Sequence, residues 1–332
     1  MLEKLGPLKL KLEIERWPLT TPFRIAGHVW EFCEVLVVDL ESEGYRGRGE
    51  AAGVYYRNDE PLSMRTALEL LRRKIEAGVS RDILQTLLPP GGARNALDCA
   101  LWDLEAKRTG RPAWQIAELD RPGPLLTAMT CGADDPAAMA ANALSYSHAR
   151  AIKLKLTGEA TDADRVRAVR AARPDVWLAV DANQSFSRRS LEQLMPILAD
   201  ANVALIEQPF FVGQEGLLDG FNSPIPVAAD ESVQELSDIA PLVGRFSVVN
   251  IKLDKCGGLT EGLAMIRTAR ACGLDTMVGC MVGTSLALAP AFLLGQLCKI
   301  VDLDTPMFLA KDRDPPAQYV DGCISCPQSI WG

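Results

Sequence analysis

The chain has 332 residues, 48% of them hydrophobic and 23% charged, a composition typical of an ordered globular protein of one large or two ordinary domains. The net charge of −8, without any basic run, argues against nucleic acid and anionic membrane surfaces as partners. The chain has no apolar run of about 18 residues and its N-terminal segment is charged, so we expect neither a membrane span nor a signal peptide. Its nine cysteines are scattered and include one isolated pair, Cys323-x-x-Cys326. We therefore predict a cytoplasmic protein with reduced thiols.

The first part of the chain, residues 1–120, is predicted to form an α+β capping domain. In LKLKLEIE (8–15) lysine and glutamate alternate with leucine and isoleucine, which is typical of an antiparallel strand with one wet face. Further elements are the strand EVLVVDLES (34–42) and the helices SMRTALELLRRKIEAG (63–78) and ARNALDCALWDLEAKRTG (93–110), the second with one apolar stripe.

The second predicted domain spans residues 121–310 and is joined to the first through DRPGPLL. Eight short apolar runs recur here, and most intervals between them carry a helical pattern. The runs are LLTAMT, AIKLKL, WLAVDAN, VALIEQP, IPVAADE, SVVNIKL, DTMVGCM and KIVDLDT. Such alternation predicts parallel strands that close into a barrel of the TIM type, and the class is therefore α/β.

The ends of this predicted barrel are less regular. The interval before Asp302 is short and rich in alanine, which predicts irregular last units and a modified (β/α)7β barrel. The tail from about residue 311 lacks the barrel pattern, and we expect it to pack back on the capping domain.

Polar residues stand near the C-terminal ends of the predicted barrel strands. They are Lys153 and Lys155, Asp181, Glu207, Asp230, Lys252, and Asp302 with Asp304. From Lys155 the steps to the next groups are 26, 26, 23, 22 and 50 residues, the last being two units, so all should meet at one mouth of the barrel. A single acid at a strand end is usually a helix N-cap, but a series of this kind on successive strands predicts an active site.

The residue types suggest the chemistry. Asp181, Glu207 and Asp230 offer three hard oxygen ligands that suit Mg²⁺ or Mn²⁺, and the two histidines of the chain are too few for a histidine-based zinc site. Lysines on both flanks of a metal-bound carboxylate suggest removal of a proton from the neighbouring carbon through an enediolate. Lys153, two residues from Lys155 on one strand face, is predicted to lower the pKa of Lys155.

Together these motifs resemble the enolase superfamily, in particular its muconate lactonizing enzyme subgroup. The matching segments are K-x-K (153–155), DAN, EQP, ADES, NIKLDKCGGLTE and, in the capping domain, ARNALDCALWDLEAKR. The resemblance covers nearly the whole chain. It implies one Mg²⁺ per subunit, replaceable by Mn²⁺, on Asp181, Glu207 and Asp230, with Lys155 and Lys252 as acid/base catalysts on opposite faces of the substrate.

Within that subgroup DLDTP resembles dipeptide epimerases of the L-Ala-D/L-Glu type, where the two acids hold the free ammonium of a dipeptide. The resemblance implies this role for Asp302 and Asp304, and adds Thr130 and Met281 as substrate contacts. Gly27 and His28 stand where relatives specific for a C-terminal glutamate tend to carry an arginine, and the nearest arginine is Arg24. We expect Arg24, His28 or Tyr55 to contact the side chain of the epimerised residue.

Other activities stay open at this point. Within the superfamily they are cycloisomerase, o-succinylbenzoate synthase and N-acylamino acid racemase, whose substrates lack a free α-ammonium. An alternative from another class is a non-catalytic barrel that binds a metal or ligand, although two opposed lysines argue against it because their burial costs stability. The sequence also leaves open whether the chain forms a homo-oligomer.

Overall fold

The computed structural model describes residues 6–25 and 28–332, and of residues 22–25 and 28–30 it describes the backbone only. The capping domain begins with an antiparallel three-stranded sheet in the order β1-β2-β3. Its strands are β1 (Lys9–Ile25), β2 (His28–Ser42) and β3 (Tyr45–Ala51). The side chains of Lys9 and Lys11 are exposed on β1, so the alternation in LKLKLEIE marks a wet face, as predicted.

Four helices complete the capping domain: α1 (Pro61–Glu76), α2 (Arg81–Leu87), α3 (Gly92–Thr109) and α4 (Ala113–Ile116). Helix α3 is buried on almost every side, because it lies between the two parts of the molecule. The predicted apolar stripe packs in the capping core, and it comprises Ala96, Leu97, Ala100, Leu101 and Leu104. The opposite face, with Cys99, Trp102 and Ala106, packs in the barrel core.

The barrel consists of eight parallel strands in chain order. They are β5 (Met129–Cys131), β6 (Ala151–Lys155), β7 (Trp177–Asp181), β8 (Val203–Glu207), β9 (Val227–Ala229), β10 (Val248–Lys252), β11 (Asp275–Gly279) and β12 (Ile300–Asp302). A backbone hydrogen bond of 2.9 Å from Ala128 N to Val301 O joins the first strand region to the last. The predicted α/β barrel with an N-terminal cap is confirmed.

The connections between barrel strands are less uniform than the strands. The long helices are α5 (Pro136–Ser145), α6 (Asp162–Ala172), α7 (Arg188–Asp200), α9 (Leu259–Ala271) and α10 (Ser285–Gly295), with the short α8 (Leu253–Cys256) before α9. After β8 and β9 the chain forms only short 3-10 turns. Two units in the middle of the barrel are therefore irregular, and β12 is followed only by a short 3-10 turn, as in the predicted (β/α)7β barrel. Irregularity was also predicted for the interval before Asp302, and there the prediction was wrong, because its alanines and leucines form the buried helix α10.

The tail packs against both parts of the chain. Strands β13 (Gln318–Val320) and β14 (Cys323–Ser325) form a small antiparallel sheet with β4 (Leu125–Leu126). Trp331 Nε1 donates to Cys99 O on α3 at 2.9 Å. The domain limits at residues 120 and 310 stay a prediction. All nine cysteines are free, and no helix in the described ranges has the length and apolar character to cross a bilayer.

The contact between β3 and α3 depends on two glycines. A Cβ atom on Gly49 would lie 2.1 Å from Ala96 O, and one on Gly47 would lie 2.3 Å from Ala100 O. Such distances are far inside van der Waals contact, and the obstacle is backbone rather than a flexible side chain. Both positions therefore require glycine for the close approach of strand and helix.

We predict that Gly49→Ala lowers the free energy of unfolding by about 1–3 kcal/mol, because the added methyl group must push α3 from β3. Urea denaturation measures the loss. Gly123→Ala is the matched control, since a Cβ there has no neighbour within 4 Å, and its change should stay within about 0.5 kcal/mol. Equal stability of the two variants would show that the contact is more tolerant than these distances imply.

Candidate active site

A cavity of about 340 Å³ lies at the mouth of the barrel beneath the capping domain. The barrel contributes its charged wall from strand ends and the loops after them, with Lys153, Lys155, Asp230, Glu231, Lys252, Asp302 and Asp304. The capping domain contributes an opposite wall that includes Leu19, Phe32, Tyr55 and Tyr56. Asp181 and Glu207 are fully buried behind this surface, and each ends a strand. The predicted barrel residues thus meet at one end of the barrel, where parallel strands present their carboxyl ends.

Strand order fixes where these groups stand around the mouth. In an eight-stranded closed barrel, strands four apart in sequence lie on opposite sides. Lys155 on β6 therefore faces Lys252 on β10, and the acids follow β7, β8 and β9 between them. Asp302, at the end of β12, lies opposite Glu207 on β8.

The acids on the two flanks of Glu207 each bind two ammonium groups. Lys155 Nζ is 2.6 Å from Asp181 Oδ2, and Lys153 Nζ is 3.5 Å from the same oxygen. Lys252 Nζ is 2.7 Å from Asp230 Oδ2, and Lys255 Nζ is 2.5 Å from Asp230 Oδ1. All these side chains are largely buried, so their ion pairs are poorly screened by water.

Lys153 is the central cation of the site. Its ammonium group binds the Asp302 carboxylate and lies 3.3 Å from Glu207 Oε2, so it connects opposite sides of the mouth. Burial lowers the pKa of Lys153, but Asp302, Glu207 and Asp181 outweigh burial and hold that pKa well above its usual range. The charge of Lys153 is thus balanced by three carboxylates. Its predicted effect on the pKa of Lys155 stays a prediction.

Carboxyl groups outnumber ammonium groups at this mouth. Among the described barrel residues at the mouth the acids are Asp181, Glu207, Asp230, Glu231, Asp302 and Asp304, against Lys153, Lys155, Lys252 and Lys255. Burial, Asp181 and Asp230 raise the pKa of Glu207 to about 7 against the opposing effect of Lys153. Burial together with Asp230 and Asp181 raises the pKa of Glu231 to about 7. The site therefore has capacity for further positive charge.

The donor set fits a divalent cation in its chemical type. Three carboxylates from neighbouring strand ends are buried, and the negative charges of Asp181 and Asp230 disfavour ionisation of Glu207. Within residues 6–25 and 28–332, however, no three acidic, histidine or cysteine side chains already enclose a point where a metal could bind. The facing oxygens instead bind Lys155 and Lys252. A cation bound to these oxygens would take the place of the lysine contacts.

The two acids at the last strand differ in their contacts. Asp302 binds Lys153 through one oxygen, and its Oδ1 is buried without a hydrogen-bond partner. Asp304 Oδ2 accepts a hydrogen bond of 2.6 Å from Thr130 N. Burial and the neighbouring Asp302 raise the pKa of Asp304 to about 7. Both acids line the cavity, but the prediction that they share one strand was wrong, because β12 ends at Asp302.

Comparison with known proteins agrees with this geometry. Residues 8–117 match the model of the mandelate racemase / muconate lactonizing enzyme N-terminal domain, and residues 136–330 match the enolase C-terminal domain-like model. The chain belongs to the enolase superfamily. It is an isomerase, since its relatives are epimerases and racemases.

Two curated relatives of this enolase superfamily member differ in their substrates. The L-Ala-D/L-Glu epimerase of Escherichia coli K12 is 40% identical over 94% of this chain and 98% of the relative. An N-acetyl-D-glutamate racemase of Pseudoalteromonas is 41% identical over 90% of this chain and 95% of the relative.

Solved structures show the same architecture with ligands bound. An enolase family member from Agrobacterium tumefaciens with homology to dipeptide epimerases, bound to sodium and L-Ala-L-Glu, has a TM-score of 0.94 and 37% identity, covering 98% of this chain and all of that one. A dipeptide epimerase from Methylococcus capsulatus, complexed with Mg and L-Arg-D-Lys, has a TM-score of 0.87 and 29% identity, covering 96% and 97%.

Two of the predicted substrate contacts of this superfamily member, one from the capping domain and one from the barrel, line the cavity. Tyr55 lines the cavity in the first 3-10 turn after β3, and Met281 lines it from the loop after β11. The side chains of Arg24 and His28 lie outside the described residues, although their backbone is part of β1 and β2. Thr130 lines the cavity and is buried on β5.

Three residues of the site were not predicted. Lys255 is buried and also donates to Asp230 O at 2.6 Å. Asn250 Nδ2 donates to Glu207 Oε1 at 2.8 Å, and its Oδ1 is buried and unpaired. Glu231 has an unpaired Oε2. The signal for Asn250 and Lys255 was their polar character in NIKLDK, at and just beyond the end of a buried strand.

We predict that Lys255→Met destabilises the protein by about 3–5 kcal/mol, because it leaves buried acceptors on Asp230 without their partner. Lys299→Met is the matched control. It removes an exposed ion pair of 2.6 Å with Asp275, which should cost less than about 1 kcal/mol. Urea denaturation compares the two variants, and equal losses would contradict the structural role of Lys255.

Proposed function

We propose that the chain is a dipeptide epimerase. It transfers a proton at the α-carbon of the C-terminal residue of a dipeptide, with Mg²⁺ as cofactor. The observation that carries the proposal is the arrangement of charge around the mouth. Acids on β7, β8 and β9 lie opposite Asp302 and Asp304, while Lys155 and Lys252 stand on the two remaining sides.

The two charged ends of a dipeptide match this arrangement. Its carboxylate would bind the cation held by the acids at the ends of β7, β8 and β9, and its ammonium group would bind Asp302 and Asp304. The unpaired Oδ1 of Asp302 supports this assignment, since it is a buried acceptor that needs a donor. The α-carbon of the second residue then lies between Lys155 and Lys252.

The residues that would hold Mg²⁺ are Asp181, Glu207 and Asp230, and Mn²⁺ has the same ligand preference. When bound, the cation supplies positive charge beside the substrate carboxylate, which lowers the free energy of removing the neighbouring proton. The Mg²⁺ in the Methylococcus capsulatus epimerase supports this choice. Asn250 and Lys255 orient the carboxylates of Glu207 and Asp230.

Lys155 and Lys252 are proposed as the two acid/base residues. One Nζ takes the proton from one face of the α-carbon, and the other Nζ delivers a proton to the opposite face, which inverts the configuration. Their partners, Asp181 and Asp230, hold both ammonium groups at the cavity wall. Lys153 is not required to exchange a proton; it links the acids with Asp302.

The capping wall is proposed to select the side chain of the epimerised residue. The relatives support L-Ala-D/L-Glu as the first dipeptide to test, with Tyr55, Arg24 and His28 as candidates on the cap and Thr130 and Met281 on the barrel. The free thiols support a reducing compartment such as the cytoplasm.

An N-acylamino acid racemase is the second candidate. The racemase from Pseudoalteromonas favours it, because an N-acetylated amino acid is that enzyme's substrate. Such a substrate carries no ammonium for Asp302 and Asp304. The two activities therefore make opposite demands on these acids, which allows a direct test.

We predict that Lys155→Ala and Lys252→Ala each abolish epimerisation. Each variant should also lose exchange of the α-proton with solvent for one diastereomer of the dipeptide, and the two variants should lose it for opposite diastereomers. Each variant should still exchange the α-proton of the one diastereomer whose proton faces the remaining lysine, while exchange of the other falls by at least about a hundredfold. NMR in D₂O with L-Ala-L-Glu and L-Ala-D-Glu measures both rates. Wild-type turnover by both variants would exclude the lysine pair as the catalysts.

We predict that the wild type prefers a free dipeptide over its N-acetylated form by roughly ten- to a hundredfold in kcat/KM, since a charge-assisted contact is worth about 1.5–3 kcal/mol. The Asp302→Asn/Asp304→Asn variant should lose that preference. L-Ala-L-Glu, N-acetyl-L-Ala-L-Glu and N-acetyl-D-Glu are compared in D₂O with Mg²⁺, and excess chelator should stop exchange. Turnover of N-acetyl-D-Glu alone would reject the dipeptide activity in favour of the racemase.

A further inference from the structure

The segment of residues 52–59, here called the cap loop, is held by the barrel at two places. It connects β3 to α1 and contributes Ala52, Gly53, Tyr55, Tyr56 and Asp59 to the wall of the cavity. Within the loop, the N–H groups of Arg57 and Asp59 donate to Val54 O at 2.9 and 3.3 Å. The loop is therefore a compact turn whose position can be set by a few external contacts.

The first external contact is made by Asp254. Its Oδ1 accepts a hydrogen bond of 2.8 Å from Gly53 N, and the carboxylate is buried. Gly53 has φ of +79°, and a Cβ there would lie 2.0 Å from Asp59 O, so the residue has no room for a side chain. Asp254 stands two residues after Lys252, and it connects the start of the cap loop to the strand of a proposed catalyst.

The second contact is made by Gln234, at the partly exposed rim of the mouth. Its Nε2 donates to Tyr56 OH at 3.1 Å and to Glu231 O at 2.8 Å. Its Oε1 accepts from Arg57 Nη1 at 3.3 Å. Gln234 stands four residues after Asp230, and it connects the far end of the cap loop to the acidic side of the mouth.

We propose that Asp254 and Gln234 are positioning residues that hold the cap loop in register with the barrel and thereby set side-chain specificity. Each joins the loop to the barrel segment of a different site residue, Lys252 or Asp230. Tyr55 and Tyr56 are consequently fixed relative to the groups that contact the reacting carbon. The specificity part of this inference rests on the proposed epimerase function, whereas the holding of the loop does not.

The test compares Gln234→Ala, Tyr56→Phe and their double variant with the wild type. Gln234→Ala and Tyr56→Phe remove the same hydrogen bond from its two ends. The double variant should therefore change hydrogen exchange by less than the sum of the two single changes. Gln115→Ala is the matched control, because Gln115 is exposed on the capping domain away from the cavity. Asp254→Asn is a further variant that keeps an acceptor oxygen, and Asp254→Ala removes it.

Two readouts are measured. Hydrogen exchange of the amides in residues 52–59 should accelerate at least about fivefold in Gln234→Ala, Tyr56→Phe and Asp254→Ala, since loss of one hydrogen bond has roughly that effect on an opening equilibrium. The ratio of kcat/KM for L-Ala-L-Glu over L-Ala-L-Leu should change about three- to tenfold in the same variants. Melting temperatures close to that of the wild type exclude global unfolding as the cause.

Exchange in the cap loop that stays at the wild-type rate in Gln234→Ala and in Tyr56→Phe would overturn the proposal, as would an unchanged specificity ratio despite faster exchange. Additive effects in the double variant would equally contradict it. If the wild type epimerises neither dipeptide, the proposed function fails. The hydrogen-exchange result then still decides whether these residues hold the loop.

Discussion

The rest of the site depends on the ion pairs that the ammonium group of Lys153 forms with Glu207 and Asp302. This ammonium group is buried between Glu207 on one side of the barrel mouth and Asp302 on the opposite side. Charges in such a poorly solvated place are stable only when partners of opposite sign lie close. Without this cation, acids from both sides of the mouth would be left facing one another, and the excess of carboxyl groups would be larger still.

One helix of the capping domain, α3, belongs to two hydrophobic cores. Helix α3 packs one face against the capping sheet and the other against the barrel, and Asp98 on it accepts from Thr260 N at 3.0 Å. Gly47 and Gly49 bring β3 close to the same helix. The cap loop follows directly from β3, so the packing of α3 contributes, together with the direct contacts of the loop with the barrel, to the position of the capping wall above the strand ends.

Much of this organisation could be predicted from the sequence, for a physical reason. One βα unit takes a roughly constant number of residues, so the regular steps from Lys155 to Asp181, Glu207, Asp230 and Lys252 place them on successive strand ends. Residues that depend on a turn rather than on this spacing were missed or misplaced. Lys255 reaches Asp230 from α8, and Asp304 lies beyond the end of β12.

Contacts between the capping domain and the barrel, and between distant segments in general, could not be predicted from the sequence either. The clash that forbids a side chain on Gly49 involves a helix about fifty residues later, and the hydrogen bond from Gly53 to Asp254 spans 201 residues. Sequence periodicity reports which face of an element is buried but not which partner buries it. Both faces of α3 illustrate the limit, since only its more regular apolar stripe gave a periodic signal.

Two lysines lie beside each aspartate that flanks Glu207, so positive charge stands on both sides of β8. Asp181 has Lys155 and Lys153, and Asp230 has Lys252 and Lys255. Positive charge alone therefore distinguishes the two flanks poorly, whereas the capping wall, Asp302 and Asp304 lie on other sides of the cavity. Redesign of a preference between mirror-image ligands should begin at those outer groups.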